Sequence, residues 1–163
     1  MSKNIPVAVV MGSESDLPIM QEAGEALSLL GIDFEMTVVS AHRTPKEMVK
    51  FAETARKKGI RVIIAGAGGA AHLPGMIAAI SELPVIGVPI AVGPLEGQDA
   101  LLSIVQMPKG VPVASVAINN AWNAGILAGQ ILGMASPLIL DRISEYKRTL
   151  RNKVLKGSTG STR

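Results

Sequence analysis

Uninterrupted apolar runs alternate with amphipathic stretches over the first ninety or so positions. Val7-Ala8-Val9-Val10-Met11 is apolar throughout, which predicts a strand buried on both faces. Over 17–30, Leu17, Met20, Ala23, Leu27 and Leu30 recur at spacings of three and four, predicting a helix with one buried face, ended by Gly31. Positions 34–40 read as a second strand. Positions 45–58 read as a second helix, with Met48, Phe51, Ala52 and Ala55 inside and Gly59 as its stop. A third strand is predicted at 61–65, a third helix at 73–81 and a fourth strand at 85–88. After Pro89 the period loosens into a helix at 97–106, a strand at 113–118 and helices at 121–135 and 137–155.

Strands that alternate with helices imply right-handed crossovers, a parallel sheet and helices on both of its faces. The helix at 121–135 is small or apolar on nearly every side, so its outer face is expected to lie against another subunit. There is no internal repeat and no linker. One α/β domain over 1–156 is expected, followed by a disordered Gly/Ser/Thr-rich tail at 157–163.

Composition narrows the chemistry. Apolar residues make up 48% of the chain and aromatics 2%, so the core is aliphatic. The absence of cysteine excludes disulfides and thiolate metal sites, and two histidines argue against a multi-histidine metal centre. The net charge of +3 is unevenly spread: 147–163 holds six basic and no acidic residues, leaving ten basic against thirteen acidic elsewhere. Without a basic face interleaved with aromatics, nucleic acid is not an expected partner. No secretory leader pattern and no apolar run of the roughly 18 residues needed to span a bilayer is present, so a soluble, cytoplasmic protein without membrane contact is expected.

In open parallel sheets ligands bind beyond the carboxyl ends of the strands. Three loops leave such ends, at 12–16, 40–44 and 66–72, and they carry Ser13, Ser15, Asp16, Ser40, His42, Arg43, a glycine-rich backbone and His72. The middle loop leads into Thr44-Pro45-Lys46-Glu47, which reads as a capping box with proline at the first helical position. A hydroxyl, an imidazole and a guanidinium thus stand at a helix start, a place that favours anions. Taken singly, each has a structural reading: Asp16 or Ser15 as a cap, Arg43 as half of a surface ion pair, either histidine as a packed side chain. Their coincidence on three successive strand ends favours a ligand site. Gly66-Ala67-Gly68-Gly69-Ala70-Ala71 has the spacing of a dinucleotide fingerprint, but it follows the third strand and lacks the acidic residue about 20 positions on. These glycines are expected to let backbone approach a small planar or carboxylated group.

Four segments in order carry a resemblance. Gly12-Ser13-x-Ser15-Asp16, Ser40-Ala41-His42-Arg43-Thr44-Pro45, Ala65 through Met76, and Ser103-Ile104-Val105-Gln106-Met107-Pro108 resemble the N5-carboxyaminoimidazole ribonucleotide mutase family of purine biosynthesis. The resemblance implies a three-layer flavodoxin-like fold, a homo-octamer, and transfer of a carboxylate from the exocyclic nitrogen of an aminoimidazole ribonucleotide to ring carbon C4, without ATP, metal, biotin or other cofactor. It carries substrate binding onto Gly12, Ser13, Ser15, Asp16, Ser40, Arg43, Ala67, Gly68, His72 and Leu73, and proton transfer onto His42. The chemistry of these groups agrees. Ser15, Ser40 and Arg43 suit a phosphate, Asp16 suits ribose hydroxyls, and Ser13 suits the carboxylate. Gly68 and its neighbours suit retention of freed carbon dioxide. One imidazole can give and take a proton near neutral pH, which suits His42, whereas His72 is expected to orient its loop.

Residues 91–96 and 119–124 depart from the commonest pattern of that family. They are expected to stay clear of the three strand-end loops and to bear on subunit contacts. A carboxylase using free carbon dioxide is the near alternative. A nucleotide- or flavin-binding module and a purely structural scaffold are more remote ones.

Overall fold

The structure is a computed structural model and describes residues 5–158. Its strands are β1 (Val7–Met11), β2 (Phe34–Val38), β3 (Val62–Gly68), β4 (Val85–Ile90) and β5 (Ala114–Ser115). All pairings are parallel, in the order β2-β1-β3-β4-β5. That is the doubly wound flavodoxin-like order, with its switch point between β1 and β3.

The uninterrupted apolar run of β1 has a direct cause. Val7, Val9 and Met11 point into one core and Ala8 and Val10 into the other, because successive strand side chains alternate faces. The first core is closed by α1 (Leu17–Leu29), by α5 (Ala121–Gly133) and by Ile143 of α6 (Pro137–Ser158). The second is closed by α2 (Pro45–Thr54), α3 (Leu73–Ile80) and α4 (Gln98–Val105). Three layers result, as expected.

The small residues of α5 serve close packing within the chain. A Cβ on Gly125 would come 2.7 Å from the Ala23 carbonyl oxygen, and one on Gly133 would come 2.6 Å from Leu140 Cδ2. The two helices flanking α5 therefore approach along a glycine stripe, and α6 covers part of the face expected to meet another subunit. Trp122 Nε1 donates to the Tyr146 hydroxyl at 2.9 Å and pins the start of α5 to α6. Met134, just past α5, remains 84% exposed.

Several boundaries differ from expectation. Strand β3 runs on through Gly66, Ala67 and Gly68 because these pair with Val88, Pro89 and Ile90 of an equally extended β4. The second helix ends at Thr54 and tightens into a 3-10 turn at Arg56–Lys58 before Gly59, whose φ of 93° reverses the chain. Strand β5 is two residues long at the sheet edge. Helix α6 continues to Ser158, and residues 159–163 of the expected tail lie outside the described residues. No described helix is long and apolar enough to cross a membrane.

Candidate active site

The sheet order opens a crevice where β1 and β3 send their following helices to opposite faces. Met11, Val38 and Gly68 end their strands there, and the loops that follow are tied to one another. Gly12 N–H donates to the Gly66 carbonyl at 3.2 Å. Arg43 Nη2 donates to the Gly12 carbonyl at 3.1 Å. His42 Nε2 and His72 Nδ1 lie 2.7 Å apart, with the rings set edge to face. One of those nitrogens donates and the other accepts, so the contact holds a single shared proton. The cleft between the loops has a volume of about 260 Å³. It is lined by Gly12, Ser13, Ser15, Asp16, Ser40, Ala41, His42, Arg43, Ala67, Gly68, Gly69, Ala70, His72, Leu73 and Val92. Every residue that the sequence singled out for the site is therefore brought together.

Each loop has its own local cause. Ser13 is extended and caps the 3-10 turn Glu14–Asp16: its Oγ accepts from Ser15 N–H at 3.4 Å, and Asp16 Oδ2 accepts from Ser13 N–H at 3.1 Å. Ser15 Oγ donates to Asp16 Oδ1 at 3.4 Å. Asp16 is 5% exposed. Burial pushes its carboxyl above the ordinary value of 3.8, against the opposing pull of the Ser13 N–H, the Ser15 hydroxyl, the Arg43 cation and the Gly12 N–H.

Thr44 does not cap α2. Its Oγ1 accepts from Ser40 N–H and donates to the Ser40 carbonyl, both at 3.1 Å, and so is not free for the N–H of Glu47. The expected capping box is absent; the threonine closes the 40–44 loop instead. Ser40 Oγ accepts from Arg43 N–H at 3.1 Å, which fixes the guanidinium's stem beside the cleft. Pro45 does occupy the start of the helix, as expected.

The glycines at the end of β3 also have a steric task within the chain. A Cβ on Gly66 would lie 2.2 Å from Met20 Sδ, and one on Gly68 would lie 2.5 Å from Val92 Cγ2 and 3.0 Å from the Ile90 carbonyl oxygen. Neighbouring protein atoms demand these two glycines. Gly69, next in the loop, combines a left-handed φ of 60° with open space.

Val92 is the lining side chain that sequence reasoning missed. The expected β4 stopped at Val88, which left Val92 deep in a loop. In the structure β4 reaches Ile90 and sets Val92 against Gly68. The rule that ligands bind at strand ends, applied to β4 as it was to the first three strands, would have found it. The departure at 91–96 therefore does touch a strand-end loop, contrary to expectation.

A parallel α/β sheet whose switch-point cleft holds hydroxyls, a cation, a buried carboxylate and two imidazoles defines a small-molecule enzyme of the doubly wound class. A family model described as AIR carboxylase matches residues 6–153. The chain belongs to that family. It is 60% identical over 149 residues to N5-carboxyaminoimidazole ribonucleotide mutase of Thermotoga maritima, covering 91% of this chain and 87% of that one. It is 54% identical over 147 residues to the chloroplastic phosphoribosylaminoimidazole carboxylase of Vigna aconitifolia, covering 90% of this chain and 26% of that one. Among solved structures, Treponema denticola PurE superposes with a TM-score of 0.88 at 25% identity, over 96% of this chain and 98% of that one.

Proposed function

We propose that this chain is an N5-carboxyaminoimidazole ribonucleotide mutase, an isomerase of purine biosynthesis that forms 4-carboxy-5-aminoimidazole ribonucleotide. The observation that carries the reading is the 2.7 Å imidazole pair in one cleft with the small residues Ala67, Gly68, Gly69 and Ala70. The reaction needs a group that both gives and takes a proton, beside a place where a small apolar molecule can wait.

In this reading Ser15, Ser40 and Arg43 hold the phosphate, Asp16 accepts from the ribose hydroxyls, and Ser13 with Gly12 meets the carboxylate. The carbamate C–N bond breaks and carbon dioxide leaves. The electron pair stays on nitrogen, which takes a proton from His42. Ring carbon C4 then attacks the carbon dioxide held beside Ala67, Gly68 and Leu73, and the C4 proton returns to His42. Atoms and charge balance without a co-reactant. His72 holds the His42 ring and fixes which of its nitrogens carries the proton. Recapture succeeds because the two fragments stay within one cleft, where their effective concentration is far above that in solution.

A cytoplasmic homo-octamer belongs to the same reading. It is supported by the apolar surface at Met134, Leu138 and Leu140, by the lack of a described membrane-spanning helix, and by likeness to this family. The partner is a small ribonucleotide, not a nucleic acid or a membrane. The second reading is direct carboxylation of aminoimidazole ribonucleotide by free carbon dioxide, favoured by the name of the Vigna relative. The test supplies purified protein with the carbamate ribonucleotide and no ATP. C4-carboxylated product at a rate well above the spontaneous one is expected. Turnover only of aminoimidazole ribonucleotide with bicarbonate would move the chain to the carboxylase, and no turnover of either would end both readings.

A further inference from the structure

We propose that Val92, positioned by Asn119, is the cleft residue that shields freed carbon dioxide from solvent and so keeps the carboxyl transfer internal. The inference rests on the mutase reading and adds to it a determinant of how the carboxyl group is retained.

Val92 differs from its neighbours in the cleft. The other apolar lining residues are glycines, alanines and Leu73, which is 2% exposed and belongs to the core. Val92 is 50% exposed, so among the described lining residues it is the large apolar side chain that stands out into the space. It covers Gly68 so closely that a Cβ there would meet its Cγ2 at 2.5 Å. Gly68 marks the end of the cleft where the reading above puts the waiting carbon dioxide.

The side chain is held there. Ala91 N–H donates to Asn119 Oδ1 at 2.8 Å, and Asn119 N–H donates to the Pro89 carbonyl at 2.8 Å. Asn119 adopts a left-handed φ of 59°, which asparagine tolerates better than most residues. On the other side Gly97 is pressed against Ala91, where a Cβ would come within 3.1 Å of Ala91 Cα. The two stretches that depart from the family pattern, at 91–96 and 119–124, thus form one unit that sets Val92 on the cleft.

Carbon dioxide is apolar, has no hydrogen to donate, and offers only weakly accepting oxygens. A branched apolar wall leaves it no attached water, whereas a hydroxyl at the same place would bring water to the carbon that C4 must attack. Excluding water from a reactive intermediate suppresses its loss to side reactions. Val92 makes no bond in the reaction; it governs the partition between recapture by C4 and escape to the medium.

The test uses the whole chain, the unlabelled carbamate ribonucleotide, and a medium of 13C-bicarbonate kept in equilibrium with carbon dioxide by carbonic anhydrase. The readout is the labelled fraction of the product carboxylate. The wild type is expected to give little label. Val92→Thr, which keeps the shape and adds a hydroxyl, and Val92→Ala, which opens the wall, should each raise that fraction several-fold with product affinity unchanged. Asn119→Ala should move it the same way by releasing Ala91. Circular dichroism and sedimentation establish that each variant is folded and assembled. A wild-type labelled fraction in folded Val92→Thr and Val92→Ala overturns the proposal. So does a rise in label that merely follows weakened nucleotide binding or loss of assembly. A wild type that makes no product from the carbamate, or that labels its product freely, instead overturns the mutase reading and this inference with it.

Discussion

The two loops that bring the histidines together reach the same crevice by different physics. The loop at 40–44 is held by hydroxyls: Thr44 Oγ1 bonds both backbone groups of Ser40, and Ser40 Oγ accepts from Arg43 N–H. The end of β3 is held by shape, with Met20 packed where Gly66 has no side chain and Val92 where Gly68 has none. The first loop should tolerate a change of volume and fail on loss of a hydroxyl. The second should do the reverse. Their meeting point is the imidazole pair, so the shared proton depends on both mechanisms holding at once.

The largest expected effect separates the two histidines themselves. His42→Asn should lower turnover by the roughly 10²–10⁴ typical of a lost general acid–base, with nucleotide affinity kept within about tenfold. His72→Asn should cost much less turnover, since asparagine can still hydrogen-bond the His42 ring. Inactive His72→Asn beside active His42→Asn would reverse the roles assigned to the two loops.

Next comes the cation on the hydroxyl-held loop. Arg43→Ala should weaken binding of the nucleotide by about 1.5–3 kcal/mol, the range for a hydrogen bond to a charged group. The nucleoside lacking phosphate should be nearly unaffected. Equal losses for both in titration calorimetry would mean that Arg43 only ties its loop to Gly12.

Two stability measurements then test the contrast directly. Gly66→Ala places a methyl against Met20 and should destabilise by about 1–3 kcal/mol, as overpacking does. Thr44→Val keeps the volume and removes the hydroxyl, and should cost about 0.5–1.5 kcal/mol, the net worth of an ordinary hydrogen bond. Denaturant midpoints decide. A neutral Thr44→Val with a neutral Gly66→Ala would remove the basis of the comparison.

The smallest effect concerns Asp16. Folding raises its pKa, chiefly by burial, so the folded chain binds that proton more firmly than the unfolded chain does. Its contribution to the stability of the ligand-free protein therefore falls as pH rises from 3.8 through the raised value, and is flat above it. Asp16→Asn should lose this component. Superimposable profiles of melting temperature against pH for the two proteins would contradict it.

How far the sequence speaks follows the same division. Periodicity located β1 to the residue, and α1 with its Gly31 stop, because burial on one or two faces writes itself into the order of side chains. The polar groups of the crevice were legible because strand ends in a parallel sheet converge. Thr44 was misread because a capping box and a loop-closing hydroxyl look alike until the geometry shows which backbone group is in reach. The steric task of the glycines at 66 and 68 was not legible because their partners, Met20 and Val92, are distant in sequence. Val92 was missed because Pro89 suggested the end of a strand that in fact continues past it.

In the mutase reading the carboxyl group moves within one crevice. A single turnover of substrate carrying 13C in its carbamate, in excess unlabelled bicarbonate, with the product carboxylate observed by NMR, decides whether it does. The 13C is expected at the C4 carboxylate. A product whose carboxylate comes from the medium would contradict it.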